Sequence, residues 1–188
     1  GRDLPTWHGS PVGRDADTEA DTDTDADTDA DSDTDADTDT DTTGNCSSDL
    51  AENSVCVDLL GSTTEVGGGI AWDGQGSLEG TLRMLFVEGT YGTDYPAVVI
   101  DVPDTLSAGD SVDCSARPTY VLYSDSSGAS WNANVDYAYW GAACTVSFDS
   151  FGLTPGDEVS GSFVTEAVNS DFTTDTMVGT FRVTVIAI

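Results

Sequence analysis

The sequence predicts an all-β protein: an antiparallel β-sandwich, Ig-like or jelly-roll-like, preceded by an extended, non-globular acidic dipeptide repeat. Three observations carry this. From Cys46 onward, short β-rich runs are separated, at a spacing of about ten residues, by turn signals. These signals include Gly67-Gly68-Gly69, Asp73-Gly74, Gly89-Thr90-Tyr91-Gly92, Ala108-Gly109-Asp110, Ser127-Gly128 and Pro155-Gly156-Asp157. Within the runs, apolar residues alternate with polar ones, as on a strand with one buried face. No window sustains a helical period of 3.6 with caps. Many short antiparallel strands with Gly-rich turns point to a sandwich, and a closed barrel is the alternative.

Three parts follow in chain order: residues 1–14, an N-terminal extension; 15–43, the repeat; and 44–188, the β-domain. In the last, strands are expected at 54–60, 70–72, 78–88, 97–102, 111–115, 119–124, 133–140, 144–151, 158–168 and 177–188. Leu82, Met84 and Phe86 share one face, as do Val159, Gly161 and Phe163. Phe181, Val183, Val185 and Ala187 continue the pattern opposite Thr180, Arg182 and Thr184. Residues 185–188 are apolar on both faces, which predicts a central or covered final strand. A domain of this length can bury a full core unaided.

In the repeat every odd position from Asp15 to Asp41 is acidic, all Asp except Glu19, and the even positions hold only Thr, Ala and Ser. With no apolar residue larger than Ala, the segment cannot bury enough surface to offset the entropy of ordering it. Asp and Thr are poor helix formers, and a helix would set like charges at i,i+4. An extended chain puts the carboxylates on one side, roughly 7 Å apart. That is inside the screening length of about 8 Å at physiological salt. Repulsion therefore stretches the repeat, which can span on the order of 90 Å. The plainest function for it is a solvated acidic spacer.

The whole chain has 35 acidic residues against five basic ones, all Arg, and a formal net charge of −30. No basic patch exists to bind nucleic acid or an anionic membrane surface. No run approaches the ~18–20 apolar residues of a membrane-spanning helix. The chain opens on Gly1, and export with removal of a signal segment is the expectation, giving an extracellular or cell-surface location. Cys46, Cys56, Cys114 and Cys144 form an even set, and a single His, His8, rules out the usual Cys/His zinc spacings. Two disulfides are expected. Of the three connectivities, Cys46–Cys56 with Cys114–Cys144 is preferred, the first closing a small loop where repeat meets domain.

Catalytic chemistry has little support. His8 lies outside the domain, so a Ser-His-Asp or Cys-His arrangement there is excluded, and no nucleophile-elbow, P-loop or dinucleotide motif occurs. A non-enzymatic role is expected, with no cofactor and no dedicated metal site. Calcium loops need a Gly for the sharp turn and a closing bidentate acid; Gly is absent from Ala16 to Thr43 and the pattern never breaks, so only weak, diffuse Ca²⁺ accumulation is expected along it. The segment 131–140, with Trp131, Asn132, Asn134, Asp136 and Trp140, has the aromatic and amide groups that sugar binding uses. Trp131 and Trp140 are the candidate stacking residues, and a core-facing aromatic strand is the competing reading. Asn45-Cys46-Ser47 formally matches an N-glycosylation acceptor. In residues 1–14, Leu4, Trp7 and Val12 are apolar with nothing local to bury them, which suggests a docking peptide that enters a groove or adds a strand on a neighbouring copy.

Thr22-Asp23-Thr24-Asp25 and Thr38-Asp39-Thr40-Asp41-Thr42 resemble the Ser-Asp dipeptide stalks of Gram-positive surface adhesins, with Thr in place of Ser. The repeat is also similar to the short-repeat peptides of environmental glycofibrils. The resemblance covers the repeat alone, and the C-terminus carries no cell-wall sorting signal like that of the adhesins. It implies O-glycans on the hydroxyls of Thr18, Thr22, Thr24, Thr28, Ser32, Thr34, Thr38, Thr40 and Thr42. The resulting expectation is a secreted structural subunit that joins other copies head to tail in an open filament. The alternative is a carbohydrate-binding adhesin domain displayed on a charged stalk.

Overall fold

The computed structural model describes residues 45–47, 49–75, 78–115, 117–134 and 143–188. They form the expected all-β domain. Its strands are β1 (Ser54–Leu59), β2 (Ser62–Val66), β3 (Ile70–Asp73), β4 (Thr81–Val87), β5 (Ala97–Pro103), β6 (Ser111–Asp113), β7 (Tyr120–Ser124), β8 (Ser130–Asn134), β9 (Cys144–Ser150), β10 (Glu158–Asn169) and β11 (Thr174–Thr184). Every strand pairing is antiparallel. The order is β2-β1-β11-β10-β8-β7-β5-β4-β3, with β9 against β10 and β6 against β9.

The sheet curls because β10 carries two neighbours along one edge. Its residues Ser160 to Thr165 pair with β9, whereas only Val168 and Asn169 pair with β8. A second corner lies beyond β11, where Ala71 and Val185 form a lone parallel bridge and the Ile186 amide donates to the Ala71 carbonyl at 2.8 Å. The two halves, β6-β9-β10-β11-β1-β2 and β8-β7-β5-β4-β3, thus enclose one core. Val55, Val57, Phe163, Phe181 and Val183 come to it from the first half, and Leu82, Met84, Phe86, Val98 and Ile100 from the second. The alternating faces read from the sequence are the buried ones, apart from Ala187, which is exposed.

Two glycines let the central pair close. Gly161 lies opposite Phe181 and Gly179 opposite Phe163 in the β10–β11 register. A Cβ on Gly179 would lie 2.5 Å from the Phe163 ring and would run into the Cys56 carbonyl oxygen. Each ring therefore covers the bare backbone of the glycine across from it, a pairing that recovers the packing a strand glycine gives up.

Four expectations need correction. The chain adds a strand, β2, that polar Ser-Thr-Thr-Glu concealed. Residues 78–80 form a turn, with the Leu78 amide on the Gln75 carbonyl and Gly80 at φ 80°, so β4 starts at Thr81. The strand expected at 133–140 begins earlier, at Ser130, because 130–134 pairs with β7 along its whole length; residues 135–140 lie outside the described set. The last strand stops at Thr184. It is central, between β1 and β10, but past Val185 the chain has left the sheet, and Ile186 and Ile188 are exposed.

Candidate functional site

The first feature of interest is the base of the repeat. Cys46 and Cys56 are disulfide-bonded with their Cα atoms 5.6 Å apart, and Cys114 and Cys144 with theirs 5.2 Å apart, the preferred connectivity. Cys56 points away from the main core and makes a small apolar cluster with Cys46 and Leu50. The segment from Asn45 is laid over β1 and β11 by further bonds. The Asn45 amide and its side-chain nitrogen both donate to Asp58 Oδ2 at 3.0 Å, the Thr180 hydroxyl donates to the Ser47 carbonyl, and the Thr184 amide donates to Asn53 Oδ1. The Asn45 nitrogen that would carry an N-glycan is thus engaged by Asp58.

The second feature is one end of the sandwich. The registers place four loops together there: 60–61 between β1 and β2, 88–96 between β4 and β5, 125–129 between β7 and β8, and 170–173 between β10 and β11. The Tyr95 ring lies beside Gly128, linking two of them. Tyr123 Oη donates to Thr64 Oγ1 at 3.3 Å across the two halves. A cavity of about 270 Å³ opens here, lined in part by Leu59, Leu60, Thr64, Tyr123, Asp125 and Trp131. Burial pushes the Tyr123 hydroxyl pKa up, against the Thr64 bond and with help from Asp125.

Two of these loops are built alike. In 125–129 the Asp125 amide donates to the Ala129 carbonyl, the Gly128 amide to the Asp125 carbonyl, and Asp125 Oδ1 accepts from the Ser127 and Ala129 amides. In 169–173 Asn169 makes the same four bonds, to Thr173, Phe172 and Asp171. The fourth residue has positive φ in both: Gly128 at 83°, Phe172 at 60°. In the β1–β2 turn Leu60 has φ 57°, followed by Gly61 at 72°, a type I′ geometry that ordinarily takes Asn-Gly. Bulky side chains occupy two positions that turn chemistry reserves for Gly or Asn.

Trp131 is 6% exposed and belongs to the core. It also lines the cavity, and Ala133 beside it is fully buried. Trp140, the glycan candidates Thr18 to Thr42, and Leu4, Trp7 and Val12 lie outside the described residues. The sequence reading did not anticipate the row Trp72, Arg83, Asp101, Tyr120 and Asn134, set side by side on the outer face of β3, β4, β5, β7 and β8. At its centre Arg83 Nε and Nη2 donate to Asp101 at 2.7 and 2.5 Å, and this carboxylate is the largest cause holding the guanidinium pKa above its ordinary value.

Among the described residues no group of His, Cys, Asp and Glu could hold a metal ion, and no helix is long and apolar enough to cross a membrane. In comparisons with known proteins, no family model, no curated protein and no solved structure matches the chain.

Proposed function

We propose that this chain is a secreted, non-enzymatic structural subunit of an extracellular fibre or surface appendage, with an O-glycosylated Asp-Thr stalk and assembly through residues 1–14. The observation that carries the reading is the unbroken run of an acid at every odd position from Asp15 to Asp41, alternating with Thr, Ser or Ala, set ahead of a disulfide-closed β-domain. Such a chain resists collapse by charge and, when extended, offers its hydroxyls along one side. Disulfides persist in oxidising compartments and support the extracellular location. The Cys46–Cys56 bridge, with the Asn45–Asp58 bonds, ties the residues that follow the repeat to β1, which supports a stalk fixed to the domain. The adhesin alternative is weakened by the burial of Trp131.

The test is the intact mass of the native protein against 19.5 kDa for the bare chain, together with sedimentation of the chain with and without residues 1–14. A ladder of sugar-sized increments on the 15–43 peptide, and polymers that vanish with the deletion, are expected. A bare mass would reduce the stalk to a charged spacer. Polymers that survive the deletion would sink assembly through the N-terminal segment.

A further inference from the structure

The two ends of the domain treat their apolar loop residues in opposite ways. At the end formed by 104–110 and 151–157, Leu106, Phe151 and Leu153 fold back and pack on the core. At the other end Leu60 and Phe172 are 64% and 63% exposed, and Tyr91 and Tyr95 are 50% and 42% exposed. These four are most of the exposed large hydrophobics among the described residues, and they sit on three loops of the same end, Tyr91 and Tyr95 sharing the 88–96 loop. Leu60 and Phe172 also adopt positive φ, at 57° and 60°, a region unfavourable for such residues. Local strain at exposed, apolar turn positions points to a role that stability does not supply.

We propose that this end of the domain is the receptor for residues 1–14 of a second copy, with Trp7 or Leu4 seated over the cavity beside Leu60. The inference rests on the fibre reading and names its missing surface. Charge supports the choice of occupant. The four loops carry Glu88, Asp94, Asp125 and Asp171 and no Arg. Residues 1–14 hold Arg2, Arg14 and His8 against Asp3 alone, a positive balance directly ahead of the acidic repeat, and Leu4, Trp7 and Val12 besides. An apolar, acidic surface and an apolar, basic peptide are complementary. Groove docking is favoured over strand addition, because Pro5 and Pro11 remove ladder donors from a segment this short. A second copy is favoured over the chain's own terminus, because the repeat's like charges oppose folding back.

The test measures binding of a labelled 1–14 peptide to the chain lacking those residues, and sedimentation of the full chain, each with and without the double variant Leu60→Asn/Phe172→Asn. Asn tolerates positive φ, so the variant should melt no lower than wild type while removing both apolar tips. Expected are roughly 30-fold weaker peptide binding, as for loss of central interface anchors, and loss of concentration-dependent polymers. Peptide binding should also fall with added salt. Wild-type peptide affinity and polymerisation in the double variant would overturn the receptor assignment, and if deleting 1–14 still abolished polymers the fibre reading would stand. A full chain that stays monomeric at every concentration while the peptide binds and the double variant loses it would keep the receptor surface and sink the fibre. No peptide binding to the wild-type receptor overturns the proposal outright.

Discussion

At the scale of single residues, the domain depends on a few positions where one atom more or less is decisive. Gly179→Ala would drive a methyl into the Phe163 ring and the Cys56 carbonyl, and Gly161→Ala would meet the Ser147 carbonyl and the Phe181 ring. Backbone cannot yield in the middle of a paired strand, so each should cost about 3 kcal/mol in denaturant unfolding; a loss below about 0.5 kcal/mol would show that the strands slide apart freely. Asp101 presents a different hazard. Its side chain is 7% exposed and its charge is matched by Arg83. Arg83→Met leaves a buried carboxylate unpaired and should cost about 3 kcal/mol, while Arg83→Met/Asp101→Leu should recover most of the loss. Asp125 gives a pH signature. The Ser127 hydroxyl bond, followed by backbone amides, holds its pKa below the ordinary value against a burial effect that would raise it. A depressed folded pKa contributes stability above the unfolded value of about 3.9, and that contribution fades as pH falls through the folded one. Asp125→Asn should therefore lower the melting temperature near neutrality, by an amount that shrinks as the pH falls below about 3.9.

At the scale of elements, hairpins are where sequence reading and structure part. Strands such as β4, β9 and β10 were legible because apolar side chains alternate along them, and β5 because a short apolar run lies between turn residues. β2 was not, since its residues are polar on an exposed edge and its turn is Leu60-Gly61 instead of Asn-Gly. The Arg83–Asp101 pair was hidden for another reason: facing residues depend on register across strands, which one strand's pattern does not contain. The loop cluster was equally invisible, because which loops share an end follows from topology. Turn chemistry then gives a test at this scale. Phe172→Gly turns the β10–β11 loop into a copy of the Asp125–Ala129 loop and should raise stability by about 1 kcal/mol; a loss instead would show that Phe172 serves the fold. Removing the two disulfides should separate their roles. Cys114→Ala/Cys144→Ala opens a 30-residue separation and should cost about 3.5 kcal/mol, and Cys46→Ala/Cys56→Ala, with a separation of 10, about 2.5 kcal/mol.

At the scale of the whole molecule, charge spacing decides how far the stalk holds other things apart. Carboxylates roughly 7 Å apart repel strongly where the screening length is about 30 Å, at 0.01 M salt, and hardly at all where it is about 3 Å, at 1 M. A bare stalk should therefore shorten as salt rises. A stalk bearing sugars on its Thr and Ser hydroxyls would be held out by bulk instead, and should keep its length. Small-angle scattering of unglycosylated and native protein across that salt range separates the two: maximum dimension should fall steeply for the first and stay nearly flat for the second. Equal contraction in both would mean that charge alone extends the stalk, and the glycan scaffold would lose its physical reason. The comparison also bears on assembly. On the proposed reading, copies joined through residues 1–14 would be spaced by the stalk, so a salt-insensitive stalk would keep a constant repeat along the fibre while salt weakened the basic-to-acidic contact that joins one copy to the next. Salt should therefore break native fibres into shorter lengths without changing the distance between their domains, an outcome that electron microscopy can read from the spacing of beads along each filament.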